Sequence, residues 1–279
     1  MSVTAEATTS RLRPDAGPSR PYRVTDALRS EWMKIRTLRS TAYSLLVTIG
    51  LGVGLGLLFS AAGAARYDAG TAADRAAFDP TAASVKSYIL AQLPLGQLGV
   101  LTVTSEYATG MIRTSLTSVP RRTRLLAAKA AVFAVVALVV GQVVGFAAFL
   151  VGQPVLGAKG VPNASLGDPG VFRAVIGCGL YLAAIGLLGV ALGTLLRATA
   201  GALAVLVSTT LLIPVISTAF PESWADVVAT WWPTNAGSQI MAVRTDPDRL
   251  GPWAGYGVLL ASVAVVVTMA FVVFRRRDV

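Results

Sequence analysis

Five charged side chains, Glu106, Arg113, Arg121, Arg122 and Arg124, fall within the twenty residues SEYATGMIRTSLTSVPRRTR (105–124), between two long apolar runs. Placed in hydrocarbon they would cost about 2.5–3.5 kcal/mol each, on the order of 15 kcal/mol together. They therefore stand outside the bilayer, where the chemistry open to them is ionic recognition of lipid or protein. Catalytic chemistry finds little material elsewhere. Glu222, Asp226, Asp246 and Asp248 form the only acidic cluster a membrane enzyme could use, and they spread over 27 residues as solvated loop ends. The chain has no histidine, and its one cysteine, Cys178, sits in an apolar run. Neither an internal disulfide nor a Cys/His metal cluster can be built from that set. No G-x-x-x-x-G-K-[ST] occurs, so ATP phosphates find no loop of the usual kind here.

The elements that position these charges are membrane spans. Of 279 residues 54% are hydrophobic and 14% charged, and the mean hydropathy is +0.65, the balance of an all-α integral membrane protein. Apolar runs long enough to cross about 30 Å of hydrocarbon occupy roughly 42–65, 87–104, 125–152, 172–196, 199–220 and 253–274. The second is the weakest, interrupted by Gln92, Pro94 and Gln97. Six spans with both termini cytoplasmic put seventeen of the 24 Lys and Arg inside, which obeys the positive-inside rule. Dropping the second span would send Arg275, Arg276 and Arg277 outside. The net charge of +10 is thus a topology signal and gives no support to nucleic acid as a partner. Residues 1–22 lack an apolar core and read as a disordered cytoplasmic tail, not a signal peptide. The transmembrane domain is then 23–279. No ionisable group stands inside a span away from its ends, which argues against ion-coupled transport.

Two cytoplasmic stretches stand out. In VTDALRSEWMKIRTLRS (24–40), Val24, Ala27, Leu28, Trp32, Ile35 and Leu38 share one helical face, with basic residues at its flanks, as in an interfacial helix lying on anionic membrane lipid. Glu31 falls in the middle of that stripe and needs a cationic partner: either a cytoplasmic arginine or a group on another subunit. In the opening stretch, Ile112, Leu116 and Val119 recur at i, i+4, i+7, so Met111–Val119 reads as a two-turn amphipathic helix that is stable only when packed. Its support is the protein's own helices, the lipid surface or a groove on a partner. Gly110 turns the chain out of span two. Within the spans, Gly50/Gly54, Gly52/Gly56, Gly141/Gly145 and Gly189/Gly193 are small-xxx-small pairs suited to close helix packing.

Toward the other face, FPESWADVVATWWPTNAGSQIMAVR (220–244) is too polar to span and too apolar for a free loop. It predicts one or two short helices at the outer surface, broken at Pro233, with Trp224, Trp231 and Trp232 in the aromatic belt. Asn235 either hydrogen-bonds within this cap or caps the following helix.

LRSEWMKIRTLRST ahead of span one, EYATGMIRTSLTSVPRRTRLLAAK between spans two and three, LGTLLRATAGALAV across spans four and five and WWPTNAGSQI before span six resemble the permease subunits of ABC-2 type export systems, particularly those of high-GC Gram-positive bacteria. The likeness runs from about Leu28 to the C-terminus. It implies a bacterial plasma-membrane permease, not itself an enzyme, which pairs with a second permease copy or paralogue and exports an amphipathic or lipid-like substrate. A separate ABC ATPase subunit would bind ATP and Mg2+ and supply the energy. By position, the resemblance gives Glu106, Met111, Ile112, Arg113, Leu116 and Val119 the role of a coupling helix seated on that ATPase, and Glu31 a contact from the connecting helix. It implies a pathway between spans two and five, where Gln92, Gln97, Ser208, Thr209 and Thr210 are the polar groups, and an outer gate at Trp232, Pro233 and Asn235. A membrane signalling or assembly protein without transport activity would show the same packing and topology.

Overall fold

The computed structural model describes residues 24–111 and 122–276. The expected tail at 1–22 and the coupling-helix positions Ile112, Arg113, Leu116 and Val119 lie outside the described residues. Every regular element described is helical.

Helix α1 (Val24–Thr37) precedes α2 (Arg39–Ala69). Two six-residue helices follow, α3 (Ala72–Ala77) and α4 (Pro80–Val85), started by the side chains of Thr71 and Asp79. Asp79 accepts from the backbone N–H groups of Thr81 and Ala82, which the first turn leaves without helical partners. Helix α5 (Tyr88–Ala108) continues through Pro94. Next come α6 (Arg122–Ala158), α7 (Val171–Leu196) and α8 (Thr199–Ala219). Helices α9 (Glu222–Trp231) and α10 (Pro233–Ser238) are short, and α11 (Pro252–Arg276) closes the chain.

Five of these, α2, α6, α7, α8 and α11, are long and apolar enough to cross a membrane. The second expected span, α5, forms as a 21-residue helix but falls short of that apolar standard. It carries Gln92, Pro94, Gln97 and Glu106. What α5 lacks in hydropathy it makes up in packing, since ten of its residues are buried.

The centre of the bundle is α7, which is buried along most of its length and packs against both α5 and α6. The α5–α7 contact is made backbone to backbone. A Cβ placed on Gly99 would fall on the carbonyl oxygen of Gly186, and one on Gly189 would fall on that of Gly96. On Gly193 it would come 2.8 Å from the carbonyl oxygen of Val100. Apolar side chains pack equally well against lipid, so such close approach is what lets helix dispersion compete with it. Of the glycine pairs in the sequence, Gly141/Gly145 face α7, Gly189/Gly193 face α5, and Gly52/Gly56 face Val144 and Ala148 of α6. Gly50 and Gly54 meet nothing within 4 Å and lie on the exposed side of α2.

Phe274, near the end of α11, packs on Leu125 and Leu126 at the start of α6. The end of α11 therefore lies beside the start of α6, the end of the bundle to which Glu31 of α1 is bonded through Lys129. The opposite end carries α3, α4, α9 and α10.

Candidate functional site

Two polar constellations occupy the two ends. At the α1 end, Glu31, Lys34, Glu106 and Lys129 form a closed ring of ion pairs. Lys129 Nζ donates to Glu31 Oε2 at 2.7 Å and to Glu106 Oε1 at 2.8 Å. Lys34 Nζ donates to Glu31 Oε1 at 2.7 Å and to Glu106 Oε1 at 2.8 Å. Two positive and two negative groups balance, which is the condition for holding charge away from water. Glu31, Glu106 and Lys129 are only 4%, 5% and 5% exposed, while the Lys34 side chain keeps 30% of its surface. Burial opposes the charge on Lys34, but its hydrogen bonds to Glu106 and Glu31 outweigh that and hold its pKa above the ordinary 10.5.

Local sequence explains how the four meet. Glu31 and Lys34 are three apart on α1, so they share a face one turn apart. Ala27 and Glu31 are the buried positions of that helix, whose small residue lets it approach α6. Glu106 lies in the last turn of α5, and Lys129 two turns into α6. Gly110 follows with φ +72°, a left-handed conformation that ends α5 and that glycine adopts without strain. Met111 is about half exposed. Nearby, the Arg197 guanidinium lies 5.1 Å from the Tyr107 ring centre, and Thr199 Oγ1 donates to Thr104 Oγ1 at 2.9 Å. The α7–α8 junction is thereby docked on the same end of α5.

Sequence reasoning asked for a cationic partner for Glu31 and named an arginine or another subunit. The partners are Lys34 and Lys129 of the same chain. Lys129 was not named as that partner because it stands just inside an apolar run. The available signal was a pair of carboxylates, Glu31 in an apolar stripe and Glu106 just past the end of an apolar run, and a lysine, Lys129, among apolar residues.

At the opposite end the polar residues gather around a break in α8. Residues Ser208–Leu212 form a π-helical turn, wider than an α turn. The carbonyls of Thr209 and Thr210 accept side-chain hydrogen bonds from other helices. Trp232 Nε1 donates to Thr209 O at 2.8 Å, and Gln92 Nε2 to Thr210 O at 3.4 Å. Gln92 also donates to Ile89 O at 2.9 Å and accepts from Tyr181 Oη at 3.0 Å. Gln92, Tyr181, Thr210, Thr234 and Asn235 line a cavity of about 270 Å3. Pro233 opens α10, whose first position needs no N–H. Asn235 does not cap a following helix, because it sits inside α10. Its Nδ2 donates to Val228 O at 3.2 Å and ties α10 back to α9.

Of the five expected pathway residues, the structure brings Gln92 and Thr210 to this cavity, with Thr209 bonded behind it through Trp232. Ser208 begins the π turn, and Gln97 is exposed on α5 away from the cavity. Tyr181 and Thr234 were missed, since a tyrosine in a long apolar run and a threonine after Pro233 carry no spacing signal of their own.

No protein-family model matches the chain, and no curated protein matches it.

Proposed function

We propose that this chain is the membrane-spanning permease subunit of an ATP-driven export system of the ABC-2 type. It moves an amphipathic or lipid-like substrate outward across a bacterial plasma membrane. In this reading α5 is a sixth span, both termini are cytoplasmic, and two permeases assemble with two ATPase subunits that bind ATP and Mg2+.

The observation that carries the proposal is the ion ring at the α1 end. The segment 112–121 is preceded by Glu106 and followed by Lys129, and these two residues are bonded to each other and to the helix before span one. A segment that receives mechanical work needs a stiff mounting on both sides, and this ring supplies one to α1, α5 and α6 together. From there α5 and α7 move as one unit, because their backbones are in contact. Glu31 and Glu106 then act from within the mounting, while Met111, Ile112, Arg113, Leu116 and Val119 meet the ATPase. At the far end, the cavity around Gln92 and Thr210 is a weakly polar stretch of the pathway, and α9–α10 with Trp232, Pro233 and Asn235 cover it as a gate.

Arg113→Glu combined with Leu116→Asp tests the reading. The pair should abolish co-purification with the ATPase and stimulation of ATP turnover. Unchanged co-purification and turnover would remove the coupling assignment.

A further inference from the structure

The ion ring forms the floor of a second cavity, of about 510 Å3, enclosed by α1, α2 and α5. That volume lies within the roughly 300–1,000 Å3 typical of small-molecule sites. Its walls are apolar at Ile35, Leu38, Leu98, Leu101 and Met111. Its polar lining is unusual in being under-used. Thr41 is only 6% exposed and lines the cavity, and its hydroxyl makes no hydrogen bond among the described residues. Ser44, one turn on and half-buried, also lines the cavity, with no hydrogen bond from its hydroxyl among the described residues. Lys34 carries three N–H bonds and uses two on Glu31 and Glu106, leaving one at the partly exposed side of its ammonium. Glu106 Oε2, buried at the floor, has no donor among the described residues.

We propose that this cavity binds one glycerophospholipid of the adjacent leaflet by its phosphate. Three donors that the fold leaves unused, the Thr41 and Ser44 hydroxyls and the third Lys34 N–H, suit the unesterified oxygens of a phosphodiester. The ring's two carboxylates do not repel that anion, because Lys34 and Lys129 neutralise them. The unpaired Glu106 oxygen favours a headgroup that also carries a hydroxyl, such as glycerol, over phosphate alone. The leucine, isoleucine and methionine walls receive the glycerol backbone and the first methylenes of an acyl chain. The buried Glu106 Oε2, without a donor among the described residues, is costly unless something fills the space. The assigned topology decides only that the leaflet is the cytoplasmic one; the site itself stands without the ATPase reading.

The test uses the full chain purified in mild detergent and titrated with dioctanoylphosphatidylglycerol, dioctanoylglycerol or inorganic phosphate, with bound species counted by native mass spectrometry. The phospholipid should bind one to one, at least tenfold tighter than either other probe. Thr41→Val with Ser44→Ala, which leaves the ion ring intact, should weaken it by about tenfold or more, the loss of one charge-assisted hydrogen bond or two. Equal binding of dioctanoylglycerol would overturn the phosphate contact, and equal binding of phosphate would overturn the lipid. Absence of a one-to-one complex, or undiminished binding by the double variant, would overturn the site.

Discussion

Replacing Lys129 by methionine keeps most of the length of the side chain and removes one charge from the ring. Glu31 Oε2 and Glu106 Oε1, now 2.7 and 2.8 Å from the ammonium, would be left with Lys34 as the only cation between them among the described residues. Both carboxylates are at least 95% buried, so water cannot take over the lost bonds. Breaking a buried pair from one side typically costs about 3–5 kcal/mol, because an uncompensated charge remains. At about 2–4 °C per kcal/mol for a chain approaching this size, the melting temperature should fall by roughly 6–20 °C. Lys34→Met should cost less, about 1 kcal/mol, since the 30% exposure of that side chain lets water reach the vacancy. Adding Glu31→Gln to Lys129→Met restores charge balance, with Lys34 and Glu106 as a single pair, and should recover at least half of the loss. Thermal unfolding in mild detergent, followed through the five tryptophans, reads the order of the variants, and titration with a denaturing detergent reads the free energies. A Lys129→Met protein within about 1 kcal/mol of wild type, the range of an exposed pair, would refute the idea that the ring stiffens this end.

Gly99→Ala should separate α5 from α7 and lose about 1–3 kcal/mol through overpacking, measured by the same unfolding, while Gly50→Ala, with open space around it, should stay within about 0.5 kcal/mol. Trp232→Phe keeps the ring but removes the N–H that serves Thr209 O; it should cost about 1 kcal/mol and expose the cavity beside Gln92 to a small thiol-directed probe placed at Thr234→Cys. Because its partners raise the pKa of Lys34, its contribution is fully present below its unfolded value near 10.5 and is lost as the pH rises through the raised folded value. The stability difference between wild type and Lys34→Met should therefore stay constant from about pH 7 to 10 and shrink above that range.

Five of the six expected spans were legible because hydrocarbon imposes one requirement, a long run without charge, that any window of sequence displays. Side-chain orientation was less so. Gly50/Gly54 and Gly52/Gly56 are the same motif offset by two residues, about 200° around α2, and only one pair faces α6. In a soluble helix polar residues would have marked the outer face; here both faces are apolar, and periodicity cannot choose between them. The helix over 24–37 and the break at Pro233 followed from local rules of stripe and imino geometry. The ring did not. Glu31 announced a missing cation; Lys34 supplies one from the next turn, but the buried one arrives from Lys129, 98 residues away, once α1 lies across α6. The π turn in α8 is equally silent in sequence, since Ser208–Leu212 is held by Trp232 and Gln92 from other helices.

The central proposal, that this chain is a permease driven by a separate ATPase, is tested most directly by the subunit composition of its native assembly. Affinity capture of the tagged chain from its own membranes in mild detergent, with mass spectrometry of the intact complex, should give two permease chains and two copies of a soluble protein bearing the phosphate-binding loop G-x-x-x-x-G-K-[ST]. An intact, monodisperse assembly that contains no such ATPase would contradict the account.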